Sequence, residues 1–409
     1  MAQPRLLYLA SSFPYGKNDT FFASEVRELV RQGVDVQAIP VRPRGELTTP
    51  DAGALAVRRP LLDLGIVRAA LAESARSPRA VTRALALLLR QPSPNVLLRN
   101  LSAFPKALWI AQVARRTRAD HIHAPWAGPP ATVAMVASRL SGIPWSFTGH
   151  FADIAANNLL RQKCRSAVFV RFIAKAMMEL ARQTEPAADE SRWVLVHSGI
   201  DVPASWSAAE GVNQPPVVLM SARFDPEKRQ ETLVRAAREL ADEGRELEVW
   251  LAGTGRLEHA VAEQVRESGL EGVVRLLGYV PNEQVLAWLD AHRVDLVVLP
   301  SDAEGIPYSL IEALAHGVPA VACVAGGVEE LLGDGCGELV QPGDAHGVAV
   351  AIGRLLDSPE LRLACVRAGR ERVEREFSAE AAARALRELC GFAAAPSGGP
   401  EHSPSVMPG

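Results

Sequence analysis

Cysteine is scarce in this 409-residue sequence: five residues, Cys164, Cys323, Cys336, Cys365 and Cys390, odd in number and scattered. That pattern excludes a disulfide framework and a cysteine-based zinc site, and it points to a reducing compartment. Long apolar runs are missing too. No stretch approaches about 18 uninterrupted apolar residues, so no segment reads as a transmembrane helix. The opening MAQPRLLYLASSFP has too short an apolar run for a signal peptide and ends in a Phe-Pro turn, so it reads as a first β-strand. No Asp-x-Asp pair and no His/Cys cluster offers a divalent metal a site. These absences predict a cytoplasmic protein with no metal and no cofactor, and nucleic acid is not expected as a partner. Acids also run short locally. From Arg58 to Arg118, eleven Arg and Lys106 stand against only Asp63 and Glu73, a local charge of +10 in a chain whose total is −3.

The length favours two domains of roughly 200 residues each, and 48% hydrophobic with 22% charged residues is ordinary for a globular protein. Strand-like and helix-like segments alternate. The first half opens with a strand at 5–10, a loop at 11–20 and a helix at 21–32 stopped by Gly33; VDVQAIPV is the next strand. A basic helical region broken by Pro60, Pro78, Pro92 and Pro94 follows. HIHAPWA and IPWSFTGH read as strand ends running into loops, and RWVLVHSGIDV closes the half. The alternation restarts with PVVLMSARF, ELEVWLAGTG, VVRLLGYV, VDLVVLP and PAVACVAGG. Such alternation predicts α/β architecture: two Rossmann-like domains with parallel sheets facing across a cleft. The expected boundaries are 1–203 and 216–377, with a linker at 204–215, a helix at 378–391 packing back toward the first domain, and a disordered tail at 392–409.

The chemistry concentrates in the second half. SDAEGIPYSLIEALAHGVP follows the strand VDLVVLP and places Glu304 in a loop and Glu312 on a helix, a little over two turns in as the spacing suggests. Ligands of open α/β sheets sit outside the carboxyl ends of strands, where a helix start offers N–H groups to anions. Two acids around such a helix start suggest a ligand with both phosphate and hydroxyls, and a nucleotide sugar fits. Gly305 and Ile306 shape the turn; the amides of Ser309 and Leu310 suit a distal phosphate. Arg223 and Lys228, after the strand PVVLMSA, can reach one diphosphate, the first bidentately and the second as a point charge. Gly253 and Gly255 in LAGTG allow close backbone approach. Gly278 and Tyr279 end the next strand and can offer backbone groups or a ring face to a base. Taken singly, each of these residues has a plainer reading as a solvated charge, a turn glycine or a core tyrosine. Their shared position at the strand ends of one sheet favours a site.

Arg223 with Lys228, Glu304 with Glu312 at E-x7-E spacing, and the following AGGVEELLGDGCG resemble family 4 of the retaining glycosyltransferases, which have the two-Rossmann GT-B fold. The resemblance implies a nucleoside diphosphate sugar donor held by the second domain. The residues matching Arg223 and Lys228 would neutralise the diphosphate, the one matching Glu312 would bind ribose, and the one matching Glu304 would contact the donor sugar. SFTGHFADI resembles the family's Thr-x-His-x-x-Asp element, which implies that His150 lies near the reacting carbon; by sequence alone a histidine there is more often structural. The catalytic set is thus His150, Glu304, Arg223 and Lys228.

The loop SSFPYGKNDTFFASEVREL and HIHAPWA resemble an exopolysaccharide, or colanic-acid, branch of the family, with Pro125 and Trp126 replacing its usual His and Phe. Acceptor-side candidates are Gly16, Thr20, His123, Trp126 and Asp153, and a sugar or lipid-linked glycan is the expected acceptor. The resemblance implies front-side displacement without a covalent protein intermediate. The basic segment Arg58–Arg118 suggests peripheral contact with anionic lipid on the inner face of the cytoplasmic membrane; an Arg-rich solvated face is the plainer alternative. A nucleotide-sugar 2-epimerase or a non-catalytic sugar-nucleotide-binding protein would share the fold.

Overall fold

Short runs rich in Val, Leu and Ile bounded by Gly, Pro and charge become strands buried on both faces, which is what a parallel sheet covered by helices requires. The computed structural model describes residues 3–16, 19, 22–53, 55–61, 63–209 and 211–393. Its chain divides into two units, residues 1–199 with 379–409, and residues 200–378.

In the first unit β1 (Arg5–Tyr8), β2 (Asp35–Ala38), β3 (His121–Ala124), β4 (Trp145–Gly149), β5 (Val170–Phe172) and β6 (Trp193–Leu195) form one parallel sheet in the order β2-β1-β3-β4-β5-β6. In the second, β7 (Val217–Ser221), β8 (Glu248–Ala252), β9 (Val274–Gly278), β10 (Leu296–Leu299), β11 (Ala320–Cys323) and β12 (Glu338–Val340) run in the order β12-β11-β10-β7-β8-β9. All of these pairings are parallel, so every strand in a unit delivers its following loop to the same edge of the sheet. The α/β class with two parallel sheets, read from the alternation, is the architecture found.

The basic segment forms three helices, Leu64–Arg76, Pro78–Leu88 and Pro94–Thr117. Asp63 caps the first by accepting from the amides of Gly65 and Ile66 at 2.8 and 3.2 Å. The helix Ala379–Leu389 packs with the first unit: Ala383, Leu386 and Phe392 join a core with Leu6, Tyr8, Val26 and Leu29. Phe392, placed at the head of the expected tail, is therefore a core residue. From residue 394 on, that tail lies outside the described residues.

The polar stretch expected as a linker is fastened to the second unit. Arg370 donates to the Pro203 carbonyl at 2.6 Å and stacks over Trp206, Ser207 Oγ meets His292 Nε2 at 3.0 Å, and the Asn213 amide donates to Asp295 at 2.9 Å. All five thiols are free and four are buried.

Candidate functional site

The loops leaving β7, β8, β10 and β11 are laced by main-chain contacts. The Phe224 amide donates to the Thr254 carbonyl at 3.0 Å, Asp302 to Glu227 at 3.0 Å, and Gly327 to Gly305 at 2.8 Å. Two glycines make these approaches possible. Gly253 has φ +146°, and a Cβ there would lie 2.0 Å from the Ala222 carbonyl oxygen. Gly326 has φ +57°, with the corresponding distance to the Glu304 carbonyl oxygen only 1.8 Å. The backbone that carries Glu304 is thus held against the loop after β11.

Lys228 ends a short 3-10 turn, Pro226–Lys228, and reaches Glu304: Nζ to Oε1 is 2.6 Å, with side chains only 16% and 7% exposed. An ammonium has three donors, and Glu304 takes one. Arg223 is different. Its side chain is 70% exposed, pairs with Asp225 and lies 3.4 Å from Glu227. Arg229 pairs with Asp302 beside the same loop.

The helix after β10 begins at Tyr308, so Glu312 sits about one turn inside it rather than two. The spacing from Glu304 was spent on the loop through Gly305, Ile306 and Pro307. Glu312 accepts from Asn282 Nδ2 at 3.0 Å, and burial pushes its carboxyl above the ordinary value while that hydrogen bond opposes the rise. Of the two amides expected to meet a phosphate, that of Leu310 bonds the Pro307 carbonyl at 3.1 Å and its side chain is buried. Ser309 is half-buried and Ile306 is buried. The amide of Gly253 takes the carbonyl of Gly278 at 2.7 Å, which leaves the Tyr279 ring 69% exposed just beyond. Gly255 lies in the same loop as Gly253.

In the first unit, His150 precedes a five-residue helix and its neighbour Asp153 works as a clamp. One carboxylate oxygen accepts the His150 amide at 2.9 Å and the other accepts the Ala127 amide at 2.5 Å, tying the loops after β3 and β4 together. Lys163, fully buried, donates to the Ala127 and Gly128 carbonyls at 2.6 and 3.1 Å. Burial lifts Asp153 to about 6 against those hydrogen bonds and Lys163, and burial lowers Lys163 to about 7 against the pull of Asp153. Asp153 is therefore a positioning residue; both its oxygens are committed to main chain.

The His150 ring lies 4.4 Å from that of Trp126 and 6.3 Å from that of Phe22. Its Nε2 is 3.1 Å from the Pro125 carbonyl, which only accepts, so Nε2 carries the proton and Nδ1 the lone pair. Burial, then the nearby Arg171 charge, lowers it to about 3, so the ring is neutral at pH 7. Trp126 is half-buried and donates Nε1–H to Asp19 at 3.2 Å. Gly16 donates its amide to the Glu46 carbonyl at 2.9 Å. Thr20 lies outside the described residues.

His123 does not belong on the acceptor side. It is a residue of β3 itself, fully buried, with Nδ1 2.8 Å from Ser146 Oγ and Nε2 3.2 Å from Thr148 Oγ1. His121 shares the same Ser146 hydroxyl at 2.8 Å. Reading HIHAPWA as a strand end put one residue too many outside the sheet.

Four site residues escaped sequence reasoning. Asp19, 3% exposed, accepts from the amides of Ser12 and Phe13 at 2.7 and 3.1 Å and organises the first loop; an Asp inside a loop is a weak signal for this. Gly326 had a usable one, a Gly-Gly pair directly after a strand. Lys163 and Asn282 had none, since either residue on a helix reads as solvated. Among the described residues no His, Cys, Asp and Glu cluster is arranged to hold a metal.

The family described as Glycosyl transferases group 1 matches residues 205–372. The amylovoran biosynthesis glycosyltransferase AmsK of Erwinia amylovora is 33% identical over 187 residues, 44% of this chain and 46% of that protein. The alpha-D-kanosaminyltransferase of Streptomyces kanamyceticus is 28% identical over 285 residues, 62% of this chain and 73% of that one. This chain spans about half the length of the curated relatives it matches first. Among solved structures, Anabaena HepE in complex with UDP has a TM-score of 0.70 at 17% identity, covering 95% of this chain and 99% of that chain; HepE is also solved with UDP-glucose. The resemblance to glycosyltransferases and the GT-B fold read from the motifs are borne out by these likenesses.

Proposed function

We propose that this chain, whose residues 205–372 match the Glycosyl transferases group 1 family, is a retaining, family-4-type glycosyltransferase. Its donor is a nucleoside diphosphate sugar, and UDP is the favoured nucleotide because HepE, of the same fold, is solved with UDP and UDP-glucose. Its acceptor is a sugar or lipid-linked glycan hydroxyl in exopolysaccharide or related glycoconjugate synthesis, met in the cytoplasm at the inner face of the membrane. No helix among the described residues is long and apolar enough to cross a membrane.

The observation that carries this reading is the Lys228–Glu304 contact at 2.6 Å, on loops from the adjacent strands β7 and β10. A cation for the diphosphate and an acid for sugar hydroxyls stand side by side, as a pyrophosphoryl-sugar ligand needs. Arg223, held by Asp225 but 70% exposed, supplies a second cation, and Glu312 supplies an acceptor for ribose. In transfer with retention the acceptor hydroxyl approaches the face from which the nucleotide departs. As the new C–O bond forms and the old one breaks, the leaving phosphate oxygen takes the hydroxyl proton. The protein's part is then orientation and stabilisation of developing negative charge. Neutral His150, which the family resemblance puts near the reacting carbon, contributes a hydrogen-bonding ring and not a charge.

The test is titration of UDP into the wild type and into Lys228→Ala and Glu312→Ala by calorimetry. Loss of binding in both variants, each still unfolding in a single cooperative transition, supports the site. Equal binding by all three proteins overturns it. Detection of epimerised free donor without acceptor, or an intact donor in the presence of every glycan acceptor supplied, overturns the transferase reading.

A further inference from the structure

The helices of the basic segment turn both arginines and large apolar side chains to solvent. Leu64, Val67 and Leu71 are 73%, 42% and 67% exposed, and at i, i+3 and i+7 they lie along one side of the first helix. The side it buries carries Ile66, Ala69 and Glu73. An ordinary surface helix hides its large apolar side chains, whereas this one buries Ile66 and Ala69 and still leaves three in solvent beside Arg68 and Arg76. Leu85 on the next helix, Leu89 just past its end and Leu98 on the third are also exposed, at 37%, 59% and 67%.

Among the described residues of the segment the exposed charge is of one sign. Both acids of the segment are already engaged: Asp63 pairs with Arg59 at 3.1 Å, and Glu73 with Arg115. Among the described residues, none of the exposed arginines Arg68, Arg76, Arg79, Arg83 and Arg90 has a carboxylate partner. Arg79 and Arg83 stand one turn apart on the helix Pro78–Leu88, and Leu89 and Arg90 follow directly after its end.

A second copy of this chain fits the surface badly, because two such faces would bring like charges together. An acidic protein would satisfy the arginines and leave the isolated leucines in contact with charge. Apolar side chains spaced among long cationic ones match a different surface. Leucine enters the boundary between headgroups and acyl chains, while arginine stems lie along it and guanidinium groups meet phosphate.

We propose that this face docks on an anionic bilayer, with Leu64, Leu71 and Leu89 entering the headgroup layer and Arg68, Arg79, Arg83 and Arg90 against lipid phosphates. This names the surface behind the membrane-side location proposed above and rests on that reading only for its purpose. Lipid binding is measured without donor or acceptor, so either idea fails alone.

The experiment is flotation of the whole chain with vesicles of phosphatidylcholine alone or doped with phosphatidylglycerol, at low and raised salt. Binding is expected only with phosphatidylglycerol and weakens with salt. With each arginine at an anionic surface worth about a factor of five, Arg79→Gln with Arg83→Gln lowers the partition coefficient on the order of 20-fold. Leu64→Asp with Leu71→Asp also lowers it. Melting curves of both variants match the wild type, because these side chains are exposed. No binding to anionic vesicles at low salt, equal binding to neutral ones, or variants that bind like the wild type would overturn the proposal. So would self-association of the lipid-free protein at low salt that Leu64→Asp with Leu71→Asp abolishes, which assigns the face to a second copy. A UDP titration on the same preparation separates the readings: UDP binding without vesicle binding sinks only the docking face, and the converse sinks only the donor site.

Discussion

Lys228 Nζ and Glu304 Oε1 stand 2.6 Å apart, 76 residues separated in sequence, with both side chains largely shielded from water. Such a pair gains little net stability over an apolar substitute, yet breaking it leaves one charge stranded. The first prediction follows. Lys228→Met and Glu304→Gln should each destabilise the fold, and the double variant should be less destabilised than their sum, with a coupling of about 0.5–3 kcal/mol. Chemical denaturation of the four proteins gives the cycle. Lys228→Met should also cut turnover roughly 100-fold or more, the usual scale for removing one electrostatic stabiliser of a leaving group. Additive stabilities would mean the contact is incidental.

Glu312 carries a pH signature. Its carboxyl is raised by burial, so the folded state prefers the protonated form. Below the ordinary value of 4.5 this group costs nothing, since it is protonated whether folded or not. As pH climbs through the raised value, stability is lost. Glu312→Gln should therefore melt higher than wild type at neutral pH, with the gap closing toward acid, while UDP binds more weakly. A constant difference in melting temperature across pH would contradict the assigned cause.

Asp153 should shape the acid limb of the activity profile. Raised to about 6, it gains a proton there and can no longer serve both the His150 and Ala127 amides as a full acceptor. Activity should fall below about pH 6 without unfolding, because a raised carboxylate favours the fold as pH drops. Lys163, lowered from 10.5 to about 7, has the opposite sign: its cost builds up as pH falls from about 10.5 to 7 and is constant below that. In Asp153→Asn one amide loses its partner at every pH. Activity should drop roughly tenfold, the scale of one hydrogen bond to a charged group, and the limb near pH 6 should flatten. An unchanged limb would assign it elsewhere.

Gly326→Ala tests the support beneath Glu304. With φ +57° and the Glu304 carbonyl oxygen in the space a methyl would take, the loop after β10 must move. A loss of at least about 2 kcal/mol in unfolding free energy is expected, together with lost UDP affinity. Wild-type melting and affinity would show that the two loops are not interdependent.

Most strands were legible because apolar runs end at Gly, Pro or charge: LLYLA, VVLMS, VWLAG and DLVVLP gave β1, β7, β8 and β10. β5 was not, because its middle residue is Arg171, a cation that no apolar pattern admits. It is tolerated by pairing with Glu25 and by donating to the Val196 and His197 carbonyls at 2.9 and 2.7 Å. β12, only three residues, carries too little pattern to detect. In the site, acids and cations at strand ends were readable; what they touch was not. Asp153 looked like a ligand contact because a polar residue near a strand end reads the same whether it faces a substrate or a main-chain amide. His123 failed for the related reason that strand limits blur by a residue or two.

The place of the helix Ala379–Leu389 has a practical corollary for anyone cutting the gene. Expressing residues 1–199 alone would omit Ala383, Leu386 and Phe392, and so open a hole in the very core that β1 lies in. The first half is built from both ends of the polypeptide, whereas the stretch between them is continuous. A two-piece dissection should therefore excise the middle and rejoin the flanks, instead of dividing the chain at its midpoint.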